Sequence, residues 1–226
     1  MDESYAGFID VGFLRGEGSK AIGQRPASVR PNAAAVVTWF RDLATGELAG
    51  ERFLRAYWYD GAFDPSHRDY RGQRTFFDAI ALTPGVQLRL GHIAEHPSKL
   101  EQPINRALEN TAVSLGILPE QLLAEFGKHW TFRSERQQKG VDTLIALDMV
   151  RLAGRSVCSS AVLIAGDRDL AEAVRAAQDF GTRVLVATPN RQSVAREVAQ
   201  LADDVIDISA NDIQAMLPLR PASSLP

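Results

Sequence analysis

What most constrains the fold is an alternation that runs through most of the chain. Short, nearly continuous apolar runs of strand length are followed by segments with helical spacing. Strands are expected at 5–10, 51–59, 86–93, 161–165, 182–187 and 205–208. Helices are expected at 33–43, 71–82, 101–116, 119–126, 141–153, 169–180, 193–202 and 211–217, with Asn32 as N-cap of the first. Runs without polar alternation suit strands buried on both faces, and strand-helix succession suits a parallel sheet. The fold class is therefore α/β, a parallel sheet flanked by helices. Residues 11–31, rich in Gly, Arg and Pro, read as a loop, and 130–138 as a polar, basic connection. The tail, 218–226, reads as frayed.

Composition narrows the function classes. The chain has 226 residues, of which 45% are hydrophobic and 23% charged, enough for a sizeable core. A net charge of -3 argues against holding nucleic acid by charge alone. It is compatible with a nuclease, whose metal-binding carboxylates add negative charge. The single cysteine, Cys158, excludes an internal disulfide framework and a cysteine-rich zinc site. The acidic N-terminus lacks a signal pattern, and no apolar stretch has the length of a membrane span. A reducing cytoplasm is the expected location, with no membrane partner.

In an open parallel sheet, ligands bind beyond the carboxyl ends of the strands. Asp10 closes the first expected strand, and Asp60 the second. Asp167 and Asp169 follow Val162-Leu163-Ile164-Ala165 after Gly166, and Asp142 starts a long helix. Each acid alone is as well explained by a helix cap or a solvated turn. Asp10, Asp142, Asp167 and Asp169 converging at one edge would repel one another, and a hard cation offsets that repulsion. Such a cation polarises a phosphate and lowers the pKa of a bound water. Asp60 suits either of two roles, assisting a metal through water or holding a strand end, and the structural one is favoured. Asp148, six residues beyond Asp142, is expected to point away from it.

These segments occur in a telling order: Phe8-Ile9-Asp10-Val11-Gly12-Phe13-Leu14, Tyr57-Trp58-Tyr59-Asp60, Gln138-Lys139-Gly140-Val141-Asp142 and Leu163-Ile164-Ala165-Gly166-Asp167-Arg168-Asp169-Leu170. Together they resemble the NYN domain family, the PIN-like group that includes LabA-type bacterial proteins. The resemblance covers roughly 5–217. It implies a Rossmann-like PIN fold, Mg²⁺ or Mn²⁺ as cofactor, and hydrolysis of RNA phosphodiester bonds. Its metal and catalytic ligands carry over onto Asp10, Asp142, Asp167 and Asp169. Many members read Asp-Gly-x-Asn after the first strand, where this chain has Asp10-Val11-Gly12-Phe13. Members often have Ser where this chain has Arg168. Residues 1–217 are expected to form one domain, with a helical insertion at about 94–136 serving substrate or self-association as a homodimer.

Lys139 and Arg168 flank the acids in sequence and suit a phosphate oxygen, as does Arg136. Lys128, His129, Arg133, Arg136 and Lys139 interleave with Trp130 and Phe132, a pattern that suits single-stranded RNA or a solvated loop equally. His92-Ile93-Ala94-Glu95-His96 matches an inverted zinc-protease pattern, but it continues a strand and runs into Pro97, so no helix aligns its histidines. Gly16-Glu17-Gly18-Ser19-Lys20-Ala21 is a weak dinucleotide match because it does not directly follow a strand. Two alternatives to a ribonuclease remain. One is a regulatory RNA- or protein-binding module with little turnover. The other is a haloacid-dehalogenase-type phosphotransferase, disfavoured because Gly12 stands where a second Asp is required.

Overall fold

The computed structural model describes residues 3–132 and 134–220, so Arg133 and 221–226 of the tail lie outside the described residues. The strands are β1 (Ser4–Asp10), β2 (Arg52–Ala62), β3 (Val86–His96), β4 (Glu135–Lys139), β5 (Ser160–Ile164), β6 (Arg183–Thr188) and β7 (Asp204–Asp207). The helices are α1 (Val11–Ala21), α2 (Ala33–Leu43), α3 (Tyr70–Ala81), α4 (Glu101–Leu115), α5 (Pro119–His129), α6 (Val141–Gly154), α7 (Ala171–Asp179), α8 (Arg196–Leu201) and α9 (Ala210–Met216). Single 3-10 turns precede α7 and α8, at Arg168–Leu170 and Arg191–Ser193. Among the described residues the strands form one sheet in the order β4-β3-β2-β1-β5-β6-β7. The pairs β1/β2, β1/β5, β2/β3, β5/β6 and β6/β7 are parallel. The expected α/β fold, a largely parallel sheet with helices on both faces, is the one observed.

The apolar runs are continuous because successive side chains enter two different cores. Tyr5 and Ile9 of β1 join Trp58, Val162, Ile164 and Leu185 in one core, against Val36 and Phe40 of α2 and Ile213 and Met216 of α9. Ala6 and Phe8 join Tyr57, Tyr59, Leu163 and Val186 in the other, against Ile145 and Met149 of α6, Val174 of α7 and Val198 of α8. At about 25 cal/mol per Å² of apolar surface, two such cores supply most of the driving force for this layering.

Two expectations are corrected. Residues 11–21 are helical, not loop. Asp10 caps α1 by accepting from the Phe13 N–H at 3.1 Å, and Val11, Leu14 and Gly18 face inward at helical spacing. Residues 135–139 form strand β4 at the sheet's end, with four of its five residues exposed. Asp60 also differs from its expected place. It lies inside β2, two residues before the strand's end, and is only 7% exposed.

The chain divides into two compact units. One comprises residues up to His92 together with those from Gln138 onward; the other is Ile93–Gln137. In the smaller unit, α5 buries no residue and α4 buries Ala112 alone. Arg136 pairs there with Glu95 at 2.8 Å, and Lys99 with Glu135 at 3.9 Å. In the larger unit, Arg30 donates to the Pro218 carbonyl and Arg220 to the Ser28 carbonyl.

Candidate functional site

The strand order defines where a ligand has room. From β1 the chain moves outward through β2, β3 and β4, then returns to place β5 on the other side of β1. Connections leaving β1 and β5 therefore diverge, and a crevice opens beyond their carboxyl ends. Ile9 pairs with Ile164, so β1 and β5 end nearly level. Asp10 is the last residue of β1, and Asp167 follows β5 by three residues. Asp142 occupies the first turn of α6, where unpaired N–H groups favour a negative charge.

Local backbone orients two of these acids. The Phe13 N–H donates to Asp10 Oδ1 at 3.1 Å, and the Asp169 N–H donates to Asp167 Oδ1, also at 3.1 Å. The Gly12 N–H also hydrogen-bonds the Asp10 carboxyl. Burial pushes the Asp10 carboxyl up to about 6; the Phe13 N–H opposes this, while the charges of Asp142 and, less, Asp60 add to it. Asp142 is raised first by burial and then by the charges of Asp167 and Asp169. The four acids thus feel one another in sequence, Asp10 through Asp142 to the Asp167/Asp169 pair. Asp167 and Asp169 themselves are exposed.

Two residues that the motifs did not assign to the site stand beside Asp10. Asp60 is pushed up to about 6 by burial, against the charge of Arg15 and hydrogen bonds from Gly61 and Gln138. Gln138 donates from Nε2 to Asp60 Oδ1 at 2.7 Å. The sequence carried one signal for Asp60, an acid closing the otherwise apolar run Tyr57-Trp58-Tyr59. Gln138 opens the Gln138-Lys139-Gly140-Val141-Asp142 segment, but nothing in that segment pointed to its partner, 78 residues away. Phe13, which replaces the amide of the Asp-Gly-x-Asn pattern, packs against both cores. A Cβ on Gly166 would lie 2.5 Å from the Phe13 ring, so the aromatic ring closes over the backbone leading to Asp167.

The expected phosphate-binding residues are distributed differently. Arg168 is exposed and pairs with Glu197 at 3.1 Å, not with the acids on either side of it. With Asp169, Arg175, Glu197 and Gln200 it lines an open groove of about 480 Å³. Lys139 ends β4 exposed, three residues before Asp142. Arg136 belongs to the 93–137 unit. Asp148 is not an idle surface acid. It is 8% exposed and accepts from the Tyr59 hydroxyl at 3.1 Å and from Arg89 Nε at 3.0 Å, tying α6 to β2 and β3. Asp203 accepts from the Val184 N–H at 2.7 Å, as a turn acid would.

The donor set fits a hard divalent cation in chemistry and in charge. All the candidate ligands are carboxylate oxygens, and burial with mutual repulsion leaves Asp10 and Asp142 reluctant to ionise without a counter-charge. Among the described residues, no three His, Cys, Asp or Glu side chains stand close enough to grip one ion together. The acids therefore do not encircle a single ion; at most two meet any one position. Mg²⁺ commonly takes one or two carboxylates and completes its shell with water and phosphate.

The chain is 38% identical over 86 residues to the uncharacterised protein y4oD of Sinorhizobium fredii; the match spans 37% of this chain and 40% of that protein, so it represents less than half of the relative's length. A crystal structure of a protein of unknown function from Vibrio parahaemolyticus aligns with a TM-score of 0.49 at 16% identity, covering 96% of each chain. Among the described residues no helix is long and apolar enough to cross a membrane. The NYN domain model matches residues 32–209, a span that contains Asp142, Asp167 and Asp169 but not Asp10 or any of β1. Sequence motifs, sheet order and this match agree: the chain belongs to the NYN domain family, within the PIN-like nuclease superfamily.

Proposed function

We propose that this protein is a divalent-metal-dependent ribonuclease, acting on RNA phosphodiester bonds with Asp10, Asp142, Asp167 and Asp169. The observation that carries the reading is the electrostatic coupling of these four acids at the β1/β5 crevice. Mg²⁺ or Mn²⁺ held there supplies Lewis acidity toward a phosphodiester oxygen. Asp10, whose Oδ1 accepts from the Phe13 N–H, would hold the cation as an anion, and the cation would relieve the burial and repulsion that raise its pKa. Asp167 keeps Oδ1 on the Asp169 N–H and presents its other oxygen. The N-terminus of α6 adds partial positive charge for a phosphate. Lys139 and Arg168 supply cations along the strand, and the exposed Arg168–Glu197 pair exchanges readily for a phosphate oxygen. Arg136 is a further candidate for a phosphate contact by sequence, and we take about 94–136 as an insertion in a domain of 1–217.

A second reading is a regulatory RNA- or protein-binding module with little turnover. Phe13 in place of an amide and the spread of the acids favour it.

Cleavage of labelled single-stranded and structured RNAs, with Mn²⁺, Mg²⁺ or EDTA, separates the two. The expected result is metal-dependent cleavage that falls about 100-fold or more in Asp167→Asn, beyond what loss of a supporting residue costs. Binding of RNA without cleavage in any metal would favour the module. Cleavage that survives Asp167→Asn would mean the acids are misassigned.

A further inference from the structure

We propose that Gln138 is a positioning residue that sets the approach of Asp142 to Asp10, by tying the segment before α6 to β2 and to the β1–α1 turn. The inference rests on the acid-site reading above and names a residue that acts through others without touching substrate.

Helix α6 starts without the usual support. Its N-cap is Gly140, at φ +80°, and no side chain caps the helix. Glycine at positive φ holds the turn but fixes little by itself. An uncapped first turn frays, and Asp142 sits in that turn. Something outside the helix must therefore hold 138–141 in place.

Three contacts do so. Gln138 Nε2 donates to Asp60 Oδ1 at 2.7 Å, an oxygen that also accepts from the Gly61 N–H at 2.8 Å. Asp60 is 7% exposed, so this charge-assisted bond is shielded from competing water. The other end of the same amide lies over Gly12. A Cβ on Gly12 would sit 2.6 Å from Gln138 Oε1 and 3.1 Å from Asp10 Oδ1. Lys139 presses equally closely on β3, since a Cβ on Gly91 would sit 2.5 Å from the Lys139 carbonyl oxygen. The two glycines are seats into which the chain settles, and Gln138 is the bolt. Its amide spans from the anchored carboxylate of β2 to the turn that carries Asp10. Gln138 is the one half-buried residue of β4; the other four are exposed.

Glutamine suits the position because it offers a donor to Asp60 without adding a fifth negative charge. The same hydrogen bond can be rebuilt with amide and carboxylate exchanged. In a chain carrying Asp60→Asn with Gln138→Glu, the amide donates toward residue 138 and the local charge is unchanged. This swap separates positioning from simple packing, because Gln138→Ala removes the bond while the swap restores it.

The test uses the full chain and Mn²⁺ alone as probe. Mn²⁺ affinity is measured by calorimetry, and amide hydrogen exchange is followed at Leu144, whose N–H bonds the Gly140 carbonyl at 3.0 Å and so reports the first turn of α6. Melting temperatures establish that each variant is folded. Gln138→Ala is expected to weaken Mn²⁺ binding about tenfold and to speed exchange at Leu144, with the swap recovering most of both losses. If wild type binds Mn²⁺ and Gln138→Ala binds it equally well with unchanged exchange, positioning fails and the acid site stands. If the swap is as weak as Gln138→Ala, the hydrogen bond is not what matters and the proposal falls. If wild type binds no Mn²⁺ while Leu144 still responds to Gln138→Ala, the acid-site reading fails and the positioning role with it, leaving a packing contact.

Discussion

Asp10 serves two demands that pull its carboxyl in opposite directions. As N-cap of α1 it works best as an anion. Partly buried, and beside Asp142 and Asp60, it is driven toward the neutral form, up to about 6. A carboxyl raised on folding stabilises the native state fully below its unfolded value near 4, and that contribution is lost as pH rises through about 6. At pH 8 without metal, the ionised Asp10 is a burden. Asp10→Asn keeps an acceptor for the Phe13 N–H and removes the charge. The variant is expected to be more stable than wild type above pH 7 by up to about 3 kcal/mol, with the gap closing between pH 6 and 4. Saturating Mn²⁺ should reverse the order by stabilising wild type alone. Urea melts across pH check this, and parallel curves for the two proteins would mean that Asp10 is not under strain. The acids of the site were legible because each stands in a short motif at a strand end or helix start. Gln138 was not, because its meaning lies in contacts with Asp60 and Gly12, made across 78 residues in the case of Asp60.

At the scale of elements, α1 shows what composition conceals. Glycines at 12, 16 and 18 within 11 residues look like a loop, since each costs helix stability. Two of the three lie against packed side-chain ends. A Cβ on Gly18 would approach Leu217 Cδ1 to 2.7 Å, and one on Gly12 would strike Gln138. The cap from Asp10 and the buried face of Val11 and Leu14 offset their propensity. Gly16 is different, for a Cβ there meets nothing within 4 Å. Gly16→Ala should therefore raise stability by roughly 0.5–1 kcal/mol, read as a shift in urea midpoint at constant slope. A destabilised variant would mean that residue 16 is not helical in solution. Strand β4 escaped notice for the converse reason. Glu-Arg-Gln-Gln-Lys has neither apolar alternation nor β-branched residues, and it is a strand because β3 offers it an edge. The buried runs of β1, β5 and β6 were legible because both cores demand them.

For the whole molecule, alternation of strands and helices revealed the layered fold but not the order of the sheet, which depends on where the chain doubles back. That order matters because the reversal at β1 and β5 locates the crevice. The net charge of -3 bears on how RNA would be held on the proposed reading. Cations outside the proposed phosphate contacts are already paired, Lys128 with Glu125 and Lys99 with Glu135. Release of counterions from the RNA should then contribute little to affinity, and most of the binding should come from the acid site and its metal. For single strands the salt slope is about -0.7 per phosphate neutralised, so two contacts lose roughly sevenfold between 50 and 200 mM salt, and six lose roughly 300-fold. Wild type with Mn²⁺ and a cleavage-resistant RNA analogue permits the measurement by fluorescence anisotropy. A loss of about tenfold or less is expected. A loss in the hundreds would place a continuous basic track on the surface, and recognition would then lie in the backbone path of the RNA instead of at the carboxylates.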